Sequence, residues 1–290
     1  MNFHQDLAHI AYEELTQAGI AVPASWDDYH ICLNYMEISH RWFDSSISYA
    51  VVYSKELLQK LPLLSTDEQE AIKDIEYCLR NCKPLTPYMS RLITDISIKK
   101  SDFLLKNWDI YHLHLEKLIP PVARFTKENL LFFQAKGRVV HFIDVKKHPT
   151  ASGWFDRGLL EIIYNNWPHL LRYLHGMKPT ADIPDNEVHS AFKHMVGIID
   201  FHGGSLFPTN MGVTTSGNSS RAVQETDRLF NRLTLAEKDL LNSEEKIKGE
   251  IFASMGKRRE NLDYELITEN GYFVAYETTT NAKIRLFPIE

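Results

Sequence analysis

The sequence predicts an α+β protein with a helical N-terminal region, a central small antiparallel sheet with flanking helices, and C-terminal helices followed by a β-hairpin. Three observations predict it. Apolar residues recur at helical spacing through much of the first hundred positions. Two β-prone runs, Leu130 to Phe133 and Val139 to Val145, flank the turn-forming Lys136-Gly137-Arg138. Near the C-terminus, Asn270-Gly271 is a strong two-residue hairpin signal between Tyr264 to Thr268 and Tyr272 to Tyr276.

The elements follow in order. Phe3, Leu7, Ile10 and Ala11 share the face of a first helix that stops near Gly19. Asp27-Asp28 begins a second, which the pattern carries through Ile31, Tyr35 and Ile38 to the region of Tyr53. Ser65-Thr66-Asp67-Glu68 reads as a capped start, with Glu68 three positions after Ser65. That helix is expected to run to about Cys82, before Pro84 and Pro87 interrupt it. Asp156 caps a helix through Leu159, Leu160, Ile162 and Ile163 that ends at Trp167-Pro168. His202 to Ser220 is rich in Gly, Ser and Thr but lacks the Gly-Lys-Ser/Thr of a P-loop. It reads as a surface loop ending in a helix cap, with a phosphate contact at the helix start as its functional alternative. A charged helix starts near Arg221 and breaks near Asn242-Ser243; Lys257-Arg258-Arg259 reads as a solvated helix end, and Lys283 to Phe287 is the last strand. These changes of character divide the chain into 1–100, helical; 101–200, the α+β module with the candidate site; and 201–290, the Gly-rich loop, helices and hairpin.

Across 290 residues, 44% hydrophobic and 24% charged residues supply a real core and exclude wholesale disorder. A net charge of −6 excludes an overall basic coat for nucleic acid while leaving room for a local basic cleft. No run approaches the ~20 apolar residues of a membrane span, and the N-terminal Asp6, Glu13 and Glu14 do not fit a signal peptide. Cys32, Cys78 and Cys82 form an odd set without framework spacing, which predicts reduced thiols in the cytoplasm. Cys78 and Cys82 fall on one helix face and read as buried structural thiols. Tyr29, Tyr35, Trp42, Phe43, Tyr49 and Tyr53 read as core aromatics. The alternative is a dimer or partner surface on a non-enzymatic interaction module.

The chemistry concentrates between Trp108 and His148. In Trp108-Asp109-Ile110-Tyr111-His112-Leu113-His114-Leu115, an extended backbone sends His112 and His114 to one face and Leu113 and Leu115 to the other. Two imidazoles on one face can exchange protons and orient a phosphate. Arg124 precedes the central hairpin and can hold an anionic oxygen through two N–H groups. His148 follows the second strand, whose own His141 reads as structural. The catalytic candidates are therefore His112, His114, Arg124 and His148, with Lys146, Lys147 and Trp108 as substrate-binding candidates. This scheme needs no metal. A hydrolase built from the same atoms would bind a divalent metal such as zinc through His112, His114 and His148, with Glu116 or Asp144.

Leu104 to Leu115 resembles a pattern in an uncharacterised bacterial family, where a Trp-x-Ile-x-His-Leu-His-Leu run precedes a Leu-Leu-Phe strand. An Ile-Asp-Val-x-x-His element and a Leu-Glu-Ile-Ile-x-x-Asn-Trp-Pro helix follow in that family. Leu130-Leu131-Phe132, Ile143 to His148 and Leu160 to Pro168 supply each part here, and Pro87-Tyr88-Met89-Ser90-Arg91 extends the match upstream. This resemblance implies one coherent module. Residues 124–150 are also similar to the C-terminal hairpin of RelE/barnase-like toxin ribonucleases: an Arg before an apolar strand, a short turn, and a strand ending in Val-x-x-His. That likeness implies metal-independent endoribonuclease chemistry in a toxin or phage-defence effector; for such chemistry His112 and His114 could supply the acid and base, with Arg124 or His148 stabilising the phosphate. Its partners would be RNA, and a protein inhibitor or a second copy of the chain.

Overall fold

The computed structural model describes residues 1–41, 43–44, 46–90, 103–117, 125–126, 128–147, 155–177, 183–194, 197–210, 212–256 and 260–289. Its first elements are α1 (Phe3–Gln17), α2 (Asp28–Ser39), β1 (Ala50–Tyr53), α3 (Lys55–Lys60), α4 (Thr66–Arg80), α5 (Phe103–Trp108) and β2 (Ile110–His114). The central hairpin is β3 (Asn129–Lys136) and β4 (Val139–Lys147), followed by α6 (Arg157–Asn166), β5 (Arg172–His175), α7 (Asp185–His194), β6 (Ile199–Phe201) and β7 (Gly204–Phe207). The chain closes with α8 (Ser220–Asn242), α9 (Glu244–Met255), β8 (Tyr264–Glu269), β9 (Tyr272–Glu277) and β10 (Lys283–Pro288). This is an α+β protein, as its sequence predicts. No described helix is long and apolar enough to cross a membrane.

Two compact units form, residues 1–37 with 222–290, and residues 38–221. They cut across the three sequence segments because the first helix finds its apolar partners at the far end of the chain. In the first unit Phe3, Leu7, Ala8 and Ala11 pack with Leu233 and Leu240 of α8 and with Tyr264, Leu266, Phe273 and Ala275 of the terminal sheet. That sheet is an antiparallel meander in the order β10-β9-β8, with Asn270 and Gly271 both at positive φ in its first turn. Glu277, fully buried, fixes the second turn by accepting from the amides of Asp263, Thr279 and Thr280 and from the Thr280 hydroxyl.

The second unit is built on a four-stranded sheet in the order β1-β4-β3-β2. The hairpin β3–β4 and its partner β2 are antiparallel, whereas β1 adds in parallel beside β4. The second helix therefore ends at Ser39, short of the Tyr53 region. Ala50-Val51-Val52-Tyr53 is β-prone, and its backbone completes the edge of β4. One face carries Val51, Leu113, Leu131, Phe133, Val140 and Phe142 against Leu57 of α3 and Ile72, Ile75 and Leu79 of α4. Ser65 and Glu68 form the expected reciprocal cap of α4. The helix stops at Arg80, so Cys82 lies beyond it at φ +54 and exposed, not buried with Cys78. Phe43 and Tyr49 close this core, with Phe43 touching Tyr49, Tyr111 and Phe133. They are core aromatics as expected, while Trp42 lies outside the described residues.

The other face carries Ile110, Leu130, Phe132 and Ile143 against α5, α6, α7 and a small antiparallel sheet in the order β5-β7-β6. A bulge at Ile143–Asp144 breaks the β3–β4 register. The freed groups are taken by the chain leaving β1: the Ser54 hydroxyl donates to the Ile143 carbonyl, and the Lys60 ammonium to both Asp144 oxygens and the Val145 carbonyl.

Candidate functional site

Helix α5 turns into β2 through a single residue, Asp109, at φ +56. An acidic residue tolerates this left-handed backbone better than most side chains. The Asn210 side-chain amide fastens the corner by donating to the Leu105 carbonyl at 3.0 Å and to Asp109 Oδ1 at 2.5 Å. Arg221 stands 3.8 Å from the same carboxylate. The Gly-rich segment thus works here as a brace on α5. It folds on itself through Thr214 and Asn218, and Ser220 donates to the Gly212 carbonyl.

With the corner fixed, β2 presents its side chains as expected: Leu113 and Leu115 enter the core on one face, while His112 and His114 share the opposite face with Ile110. The register places His114 opposite Leu130, and Leu130 opposite Lys146. His114 and Lys146 therefore lie in one row, roughly 10 Å apart at the backbone across three strands. His112 lies opposite Phe132, its ring 6.1 Å from that side chain. His141 joins the same face one row away, opposite Gln134.

The environments differ. His112 is half-buried, and His114, 9% exposed, lies flat on Phe125 with ring centres 3.7 Å apart. Lys146 pairs with Asp156, the N-cap of α6, at 2.6 Å. Lys147 is well exposed beside Glu128, a solvated rim position. Trp108 is wholly enclosed and packs beside Phe192, so its ring is a core element and is not offered to a substrate. Arg124 and His148 lie outside the described residues, as does Lys257-Arg258-Arg259. His141 sits edge-on to Trp167, 6.4 Å from the His169 ring. Burial holds its imidazole below the usual histidine range; a Gln134 backbone hydrogen bond opposes this, and His169 and Lys136 reinforce it.

Both carboxylates of the metal scheme have other work. Glu116 accepts from the Thr126 amide and hydroxyl, closing the loop ends, and Asp144 is held by Lys60. Among the described residues no three His, Cys, Asp or Glu side chains converge as a metal site. A cavity of about 500 Å³ in the first unit is lined by Asp6, Asp28 and Glu265, whose negative charge repels a polyanion such as RNA.

The structure also brings together a pair that the sequence reading passes over. Arg157, Glu161 and Tyr164 follow at i, i+4 and i+7, on the face of α6 away from Leu159, Ile162 and Ile163. The hairpin β6–β7 meets that face. Its two-residue turn is His202-Gly203, both at positive φ. His202 Nε2 lies 2.5 Å from Glu161 Oε2, and its ring stacks on Tyr164 at 4.6 Å and 10°. The Tyr173 hydroxyl donates to the His202 carbonyl, and Arg157 to the Asp200 carbonyl. Gly204 has no room for a side chain: a Cβ would stand 2.5 Å from the Tyr173 oxygen and 2.6 Å from the Leu174 carbonyl. Glu161 and His202 are far apart in sequence, so only the pairing of a polar helix stripe with a His-Gly turn between apolar strands hints at the contact. In comparisons with known proteins, no family model, curated protein or solved structure matches this chain.

Proposed function

We propose that the protein is a metal-independent endoribonuclease of the toxin or phage-defence kind. What supports this reading is the strand register that sets His112, His114 and Lys146 on one face of a sheet whose edge strand is β2. His112, the more open of the two, exchanges protons with substrate, while His114, held flat by Phe125, completes the acid–base pair. Lys146, presented by Asp156, faces the phosphate; Arg124 and His148 are the further cations of the scheme. RNA is the substrate partner, and a protein inhibitor or a second copy of the chain is the regulatory one. Three free cysteines suit a reducing cytoplasm, where burial pushes the Cys32 thiol up to about 12 and keeps it protonated.

The test is incubation of the purified chain with single-stranded RNA, with and without chelator, beside His112→Gln and Lys146→Met variants of verified fold. Chelator-insensitive cleavage that falls by roughly 10²-fold or more in His112→Gln is the expected result. Equal, negligible cleavage by wild type and variant removes the reading, and cleavage that stops with chelator replaces it with the metal-dependent hydrolase.

A further inference from the structure

The contact between α6 and the β6–β7 hairpin has the features of a second acid–base centre. His202 occupies the first position of a turn with two left-handed residues, where asparagine is the favoured side chain. Its imidazole is 42% exposed. Nε2 is committed to Glu161, while Nδ1 makes no hydrogen bond to a described residue. A carboxylate on one ring nitrogen fixes the tautomer and stabilises the imidazolium, leaving the other nitrogen to act as a base. Tyr164 behind the ring and Tyr173 on the turn carbonyl hold it in place. Arg157 brings positive charge one helical turn ahead of Glu161, and the exposed His175 beside Tyr173 adds a planar surface.

We propose that His202 activates water for the hydrolysis of a 2′,3′-cyclic phosphate, with Glu161 as its positioning residue. The substrate class rests on the ribonuclease reading, because attack of a ribose 2′-hydroxyl on its own phosphodiester leaves that cyclic end. Nδ1 takes a proton from water, and the hydroxide oxygen bonds to phosphorus. The bond from phosphorus to the 2′ oxygen breaks, and that oxygen receives the proton from His202 by way of solvent. A 3′-phosphate and a free 2′-hydroxyl result. The nucleobase lies against Tyr173 and His175, as base stacking on an aromatic face allows.

The probe is cytidine 2′,3′-cyclic phosphate, with the 3′-phosphate product followed by ³¹P NMR on the full chain. Wild type is expected to hydrolyse it, and His202→Asn to slow it by about 10²-fold or more. The same variant keeps or raises the melting temperature, because asparagine suits the turn. Glu161→Gln lowers kcat with KM unchanged, a split that a merely structural contact does not produce. No hydrolysis by wild type, or hydrolysis that survives His202→Asn, overturns the inference. Wild type that cleaves RNA but leaves cyclic ends overturns it while sparing the ribonuclease reading. Hydrolysis of the probe without RNA cleavage overturns only that reading.

Discussion

Replacing Lys60 by methionine leaves the Asp144 carboxylate, 4% exposed, without its counter-charge at the bulge beside the histidine face. The Lys60 ammonium lies 2.7 and 2.9 Å from the two oxygens and 2.9 Å from the Val145 carbonyl, so one substitution removes three charge-assisted hydrogen bonds. Coulomb attraction at this distance is about 6 kcal/mol at an effective dielectric of about 20, before desolvation is subtracted. Breaking a buried pair typically costs about 3–5 kcal/mol. Lys60 is 37% exposed, so solvent screens the pair and the expected loss is about 2–3 kcal/mol. Asp144→Asn still accepts from the Val145 amide and loses only the charge, for about 1–2 kcal/mol. The double change Lys60→Met/Asp144→Leu strands no charge and recovers part of the loss. Urea unfolding read by amide exchange in β4 gives all three values. A Lys60→Met cost below about 0.5 kcal/mol, or a double variant no more stable than Lys60→Met alone, refutes the argument. Because Lys60 occupies the carboxylate, the proposed ribonuclease reading expects any RNA cleavage by the wild type to persist in folded Asp144→Asn, whereas a metal ligand or base at this position would not survive the change.

Two further outcomes follow from buried titratable groups. The folded His141 sits below the unfolded value of 6.5, so below about pH 6.5 the unfolded chain binds a proton that the folded chain refuses. Stability then falls with pH by up to about 1.4 kcal/mol per unit until folded His141 also protonates. His141→Gln should flatten this part of the stability–pH curve; an unchanged slope would show that the imidazole already carries its proton when folded. Glu277 is governed by the opposite rule. Burial alone would raise it, but the Thr280 hydroxyl and the amides of Thr280, Asp263 and Thr279 hold it below the usual carboxylate range. Its contribution is present above about pH 4.5 and lost as pH falls through the lowered value. Glu277→Gln should therefore cost about 1–3 kcal/mol at pH 7 and progressively less in acid, measured by thermal melts across pH. A pH-independent cost would assign the loss to packing.

Local signals carried most of the fold. Ser65 with Glu68, Lys136-Gly137-Arg138, Asp156 and Asn270-Gly271 each act within a few residues, and each formed the start or turn expected of it. What needed a distant partner was hidden. Val51 and Val52 look like a continuation of a helix until β4 offers them an edge, a partner nearly ninety residues away. The first helix gives no sign that its apolar face belongs with α8 and the terminal meander. Period-2 alternation correctly put His112 and His114 on one face, but it could not show that the face is shared with the apolar core. Trp108, offered by sequence as a binding group, is buried beside Phe192 of α7, and Lys146 is already paired with the α6 cap Asp156, two partners distant in the chain or set by tertiary packing.

The two histidine settings differ in a way that bears on how each can act. On β2 the imidazoles are held by the sheet: the left-handed Asp109 and the Asn210 side chain fix where the strand begins, and Phe125 covers His114. His114, so enclosed, has little freedom to reorganise, whereas half-buried His112 keeps the more open position of the two. His202 has the reverse balance. Its backbone sits where asparagine would be more comfortable, its ring is open to solvent, and three separate contacts hold the carbonyl, ring face and Nε2. The physical distinction predicts different responses to the same substitution. On the proposed scheme, removing an imidazole from β2 disturbs packing as well as activity, so His112→Gln is read with its fold verified, whereas removing His202 is expected to lower activity while sparing stability.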